Sequence, residues 1–156
     1  MLLNSSYVEK KLGDPSKLDQ HYWFCTLDRP KLFNNSCFPV KISNVNRIMA
    51  TPLANALVAI GHLDLEPMIT SYDGIYCLRK MRLSTSWSLH SWAIAIDINA
   101  VTNRQGAKPM LDMAIVNCFE ACGFDWGGRW KGASVDGMHF QLSKETFDTQ
   151  LKRFIK

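Results

Sequence analysis

No stretch of this chain stays apolar long enough to cross a lipid bilayer, so stable membrane insertion by a helix is excluded on length alone. The opening segment, MLLNSSYVEKKLGDPSK, turns polar after three residues and lacks the apolar core of a secretory signal, which points to synthesis in a cytoplasm. Charge of one sign is also scarce. The net charge is +4, and the basic residues are scattered apart from Lys152, Arg153 and Lys156. A nucleic-acid binder concentrates its cations to neutralise phosphates, and no such stripe is present. The five cysteines, Cys25, Cys37, Cys77, Cys118 and Cys122, are odd in number and contain no CxxC pair. That argues against a cysteine zinc knot and for reduced, buried thiols. Repeats, linkers and low-complexity segments are lacking too.

What remains is an ordinary globular composition, 47% hydrophobic and 21% charged over 156 residues, enough for one sizeable core. The expectation is a single domain over 1–156 of the α+β class. An antiparallel sheet would have helices packed against it. CFPVKIS (37–43) reads as a short strand. Thr51 and Pro52 read as the cap and first position of a helix, with Leu53, Ala56, Leu57 and Ile60 on one face and Gly61 as its stop. Residues 74–84 read as a strand or an ordered loop. Pro109 opens a second helix to about Cys122, with Leu111, Ala114, Ile115, Cys118 and Phe119 on one face and Gly123 ending it. GFDWGGRWKGASVDG (123–137) reads as a loop and MHFQL (138–142) as a strand. Ser143 caps a last helix that turns Phe147, Leu151, Phe154 and Ile155 inward.

The clearest strand is AIAIDIN (93–99). Its alternation sends Ile94, Ile96 and Ile98 to one face and Ala93, Ala95, Asp97 and Asn99 to the other. In MHFQL, Met138, Phe140 and Leu142 oppose His139 and Gln141 in the same way. Two strands that each place a polar residue on an otherwise packable face suggest a shared site. His90 lies an odd number of residues before Asp97, so it must sit in a turn ahead of the strand, with Ser91 and Trp92 carrying the bend. Two histidines and one carboxylate suit zinc and leave a fourth position for water. Asp136, three residues before His139, is placed to act as a proton carrier. Read from these residues alone, a metal site and a set of satisfied buried polar groups both remain open.

SLHSWAIAIDIN, GFDWGGRW and DGMHFQL, in that order, resemble the zinc peptidases of the D-alanyl-D-alanine carboxypeptidase and L-alanyl-D-glutamate endopeptidase family, most of all its phage endolysin branch. The resemblance runs from about 38 to 142 and includes YDGIYCLRKMR (72–82). It implies a zinc ion on His90, Asp97 and His139, with Asp136 as general base. Arg79, or failing it Arg82, would bind the scissile carbonyl. Ser88 would help hold substrate, and Trp126 and Trp130 would wall the groove. The implied activity is hydrolysis of the L-alanyl-D-glutamate bond of the peptidoglycan stem peptide through a zinc-activated water. The alternatives are a D-alanyl-D-alanine carboxypeptidase or a non-catalytic wall-binding module. A monomer is expected, held in the host bacterial cytoplasm before lysis and acting on the wall after release. Three positions depart from the family pattern. Ala93 replaces a glycine, Gly137 follows the base where relatives carry a larger or cyclic residue, and Lys80 replaces a proline.

Overall fold

The computed structural model describes residues 1–156. Two short helices, α1 (Ser5–Leu12) and α2 (Gln20–Trp23), lead into strand β1 (Phe24–Asp28), which pairs antiparallel with β2 (Lys41–Asn46). Helix α3 (Arg47–His62) follows at once. After it come β3 (Tyr72–Gly74), β4 (Ala95–Ile98), α4 (Met113–Ala121), β5 (Phe124–Trp126), β6 (His139–Leu142) and α5 (Lys144–Phe154). The last four strands form a second sheet in the order β3–β4–β6–β5, every pair antiparallel. The α+β expectation is met, with two sheets instead of one.

Helix α3 is the spine of the core. Ile48, Met49, Leu53, Ala56, Leu57 and Ile60 are all buried, and the helix packs against α4, α5 and both strands of the small sheet. It begins earlier than Thr51 and Pro52 suggest, because Asn46 caps it. The Asn46 side chain accepts from the Ile48 N–H at 3.1 Å and donates to the Trp92 carbonyl at 2.9 Å. Pro52 therefore lies inside the helix, where it cannot donate to the Ile48 carbonyl. Gly61 also lies inside and does not stop the helix. A Cβ there would collide with the Leu32 carbonyl oxygen, so glycine is required by the close approach of the 30–33 turn.

The remaining differences are local. Helix α4 starts at Met113, where Asp112 accepts from the Ala114 N–H at 2.8 Å, and Pro109 to Leu111 lie outside it. The strand expected over 37–43 begins at Lys41, and residues 37–40 form a turn. Residues 74–84 are mainly an ordered loop. Within 123–137, Phe124–Trp126 pair with β6 as a strand. In α5, Phe147 and Leu151 are buried and Phe154 packs on Tyr22 and Trp23, but Ile155 points into solvent. Of the cysteines, Cys118 is buried whereas Cys37 and Cys77 are exposed. No helix is long and apolar enough to cross a membrane.

Strand register decides what reaches the second sheet's outer face. Ile96 pairs with Phe140, and Phe140 pairs with Trp126, so these three side chains share the core face. Asp97 pairs with His139, and Ala95 pairs with Gln141, on the opposite face. One residue of slip in β6 would turn His139 into the core and Phe140 out.

Replacing Gly61 with alanine is expected to cost about 1–3 kcal/mol, because the obstacle is backbone that cannot rotate away. Urea unfolding of the two proteins, compared at equal m-value, measures this.

Candidate metal centre

Asp97 and His139 face each other across β4 and β6. His90 arrives from a single 3-10 turn, Leu89–Trp92, just before β4. Ser88 caps that turn by accepting from the His90 N–H at 3.3 Å. The chain then enters the strand through Ala93, whose φ of 56° and ψ of 39° are left-handed. That is the physical reason for a glycine here, and the buried alanine carries about 1 kcal/mol of strain instead. The bend ahead of the strand is therefore as the odd spacing of His90 and Asp97 requires.

His90 Nε2 and His139 Nδ1 each lie 3.2 Å from Asp97 Oδ1, and the three ligand atoms fall within 4.8 Å of one another. Their protonation is set from outside the cluster. His90 Nδ1 is 2.7 Å from the Ile75 carbonyl, which can only accept, so Nδ1 carries the proton and Nε2 presents a lone pair. Gln141 donates its amide N–H to the Leu3 carbonyl at 3.0 Å, which turns its Oε1 toward His139 Nε2, also at 3.0 Å. His139 must then donate through Nε2 and present Nδ1 inward. With both imidazoles neutral, three acceptor atoms thus converge on one point with no donor among them. A proton on His139 or a bound metal ion relieves that repulsion, and two imidazoles with one carboxylate is a donor set that fits zinc. His90 Nε2 is misaligned with Asp97 and has no hydrogen-bond partner although it is buried.

The second buried side-chain atom without a partner is Asp136 Oδ1, in the same cleft. Burial pushes the Asp136 carboxyl up to about 6, with Asp97 adding to the rise and His139, His90 and Arg79 opposing it. Asp97 behaves oppositely. Its burial is outweighed by the His139 and His90 imidazoles, which hold its carboxyl well below the usual range. One carboxylate is thereby kept ionised while the other is poised to exchange a proton. Burial favours the neutral His139 imidazole, but Asp97, Asp136 and Gln141 outweigh it and raise its pKa.

Gly137 does not leave Asp136 loose. The Asp136 N–H donates to the Gly127 carbonyl at 2.9 Å, and its carbonyl accepts from His139 N–H at 3.2 Å. The Trp126 indole donates to the Gly137 carbonyl at 2.8 Å. Trp126 therefore does not wall the groove. It is a core residue stacked on Phe140, and its indole braces the backbone next to Asp136. Trp130 does line the cleft, with its ring centroid 5.4 Å from that of His139.

Arg79, Arg82 and Ser88 line the cleft as well, together with Gln105 and Ser134, to which no sequence motif pointed. Arg79 is tied to the histidine turn by its backbone. Its carbonyl accepts from the Ser88 N–H at 2.9 Å, and its N–H donates to the Ser91 hydroxyl at 3.2 Å. The buried Ser91, expected to help carry the bend, thus also ties that bend to the Arg79 segment. Lys80, in place of proline, stacks its ammonium 3.4 Å from the Trp87 ring and closes a small hairpin over 80–87.

These features define a candidate hydrolytic metal centre: a cation site, a proton-transfer carboxylate and a guanidinium in one cleft. Residues 82–142 match a family model described as D-alanyl-D-alanine carboxypeptidase. The match contains Ser88, His90, Asp97, Asp136 and His139, leaves Arg79 just outside, and covers less than half of the chain. It supports a peptidase of the metal-dependent kind that acts on peptidoglycan. No curated protein and no solved structure matches the chain.

Two outcomes test this geometry. Replacing Gln141 with leucine releases the His139 tautomer and is expected to weaken zinc binding about 10–100-fold with the fold intact. Competition against a chromophoric chelator, with circular dichroism as control, reads both. At Ala93, glycine removes strain but also a buried methyl, so its unfolding free energy should stay within about 1 kcal/mol of the parent. Valine, which is far less tolerant of positive φ, is expected to cost more than about 2 kcal/mol.

Proposed function

We propose that the protein is a zinc-dependent endopeptidase that cuts the L-alanyl-D-glutamate bond of peptidoglycan stem peptides. The observation that carries this reading is the convergence of three inward acceptors beside the orphaned Asp136 carboxylate. His90 Nε2, Asp97 and His139 Nδ1 would hold the ion. When bound, it supplies a Lewis acid that makes water nucleophilic near neutral pH and polarises the scissile carbonyl.

The chain's own residues do the rest. Asp136 accepts the proton of the attacking water and returns it to the departing amine. Its raised pKa suits both halves of that task. Arg79 donates to the carbonyl oxygen as negative charge develops there, and a guanidinium stays charged throughout. Trp130 covers one side of His139 and keeps bulk water from the reacting peptide. Ser88 uses its oxygen as a cap acceptor, which leaves its hydroxyl proton available to a substrate carbonyl.

The same machinery would serve a carboxypeptidase that trims terminal D-alanine, and the description of the matching family model favours keeping this as the second reading. Mass spectrometry of digested peptidoglycan separates the two. Free D-alanine would show a carboxypeptidase, and whole stem peptides released from glycan would show the endopeptidase. Retention on walls without new amine termini would instead show a binding module. An endolysin role is supported by the resemblance of SLHSWAIAIDIN and DGMHFQL. On that reading a monomer accumulates in the host cytoplasm and reaches the wall on release.

Asp136→Asn keeps the shape of the side chain and removes the base. It should retain one equivalent of zinc and lose about 10²–10⁴-fold in kcat. The parent's kcat/KM should fall on the acid side with a midpoint at or below about 6, because the base works only when deprotonated and a bound cation lowers its pKa further. Full lysis by the asparagine variant would remove Asp136 from the mechanism.

A further inference from the structure

The cleft does not end at the metal centre. Its inner part, about 280 Å³, is lined by His90, His139, Asp136 and Arg79. It shares Arg82, Gln105 and Ser134 with a wider outer compartment of about 710 Å³. Arg104 and Leu83 complete the walls that matter here. The outer compartment has two guanidinium groups and no carboxylate among its lining residues.

The use of arginine elsewhere in the chain makes that pairing informative. Arg29 is bound to the Asn35 and Phe38 carbonyls, Arg47 to the Tyr22 carbonyl, and Arg129 to Glu120 through two bonds. Arg79, Arg82 and Arg104 take part in none of the ion pairs, nor does Arg153 at the C-terminal end, but the first three converge on one cleft from two loops, around 79–82 and around 104. Those loops are pinned. Asn103 donates to the Asn99 carbonyl at 3.0 Å and accepts from the Met110 N–H at 2.7 Å, and Gly106 N–H donates to the Val135 carbonyl at 2.7 Å. On the other side, Met81 N–H donates to the Ser86 carbonyl at 2.8 Å. Leu83 sits at that hairpin's tip, 98% exposed with a φ of 55°, which is a costly conformation for a leucine.

We infer that the outer compartment is an anion subsite in which Arg82 and Arg104 receive a carboxylate that the peptide carries beyond the scissile bond. The inference rests on the peptidase reading above and adds its substrate class: acidic peptides over neutral ones. Arg79 serves the reacting carbonyl at the inner end, while Arg82 and Arg104 serve the substrate's charge at the outer end. Leu83 offers an apolar edge to the alkyl part of the same segment.

The test uses two synthetic stem peptides that differ only at D-glutamate, one with a free α-carboxylate and one with the α-amide. The zinc-loaded parent should show about tenfold or higher kcat/KM for the free acid, expressed mainly in KM. The preference should narrow at about 0.5 M NaCl, where exposed charges are screened. In Arg104→Gln it should fall below about threefold. Equal handling of the two peptides by the parent, or an undiminished preference in Arg104→Gln, overturns the subsite. Calorimetric binding of both peptides to zinc-loaded Asp136→Asn separates this from failure of the peptidase reading. If the parent cuts neither peptide, yet Asp136→Asn binds the acid more tightly and the added Arg104→Gln change abolishes that difference, the subsite stands and the peptidase reading falls. If both are cut alike, the reverse holds.

Discussion

Three lone pairs aimed at one buried point repel one another, and the structure depends on holding them there. Asp97, His90 Nε2 and His139 Nδ1 gain nothing from mutual contact when all are acceptors. Their arrangement is sustained by bonds made on the far side of each ring, which His90 donates to the Ile75 carbonyl and His139 donates to the Gln141 amide oxygen. With neutral imidazoles the fold thus stores an unsatisfied electrostatic demand that a divalent cation would meet. Binding of an ion there would be coupled to the stability of the folded chain, since the unfolded chain has no such convergence.

The support reaches far from the cluster. Gln141 is oriented by the Leu3 carbonyl, 138 residues away in sequence, so the N-terminal segment helps determine which nitrogen of His139 faces inward. Asn46 caps the central helix and also grips the Trp92 carbonyl at the end of the His90 turn. The Trp92 indole in turn donates to the Gly13 carbonyl at 2.9 Å. Core helix, histidine turn and N-terminal segment are therefore one connected unit, and the strain at Ala93 is borne at its centre.

Much of the site was legible because strands alternate. Asp97 and His139 are conspicuous as polar residues on faces that could have been packed, and the odd spacing forces His90 into a turn. Alternation says nothing of pairing, however. Only the register of β6 against both β4 and β5 shows that Trp126 shares the core face with Phe140, which its place in a glycine-rich segment concealed. Gly61 misled for a related reason. A glycine late in an apolar helix signals a stop in sequence, whereas here it answers a backbone contact from residues nearly thirty positions earlier. Gln105 and Ser134 carry no motif at all, and their place in the cleft arises from which loops meet.

The division of labour among the carboxylates follows from burial combined with neighbours. Asp97 is the more deeply enclosed, yet two imidazoles keep it ionised, whereas Asp136 has burial without an adequate partner and rises to about 6. Exchanging the two environments would give a poor ligand and a poor base. The brace formed by Trp126 and Gly127 matters because a proton carrier is useful only if its carboxylate stays aimed at the reacting atoms. That brace lies on the core side of the sheet, so the tightly packed face, with Phe140 and Trp126 stacked, is what holds the chemistry on the other face in place.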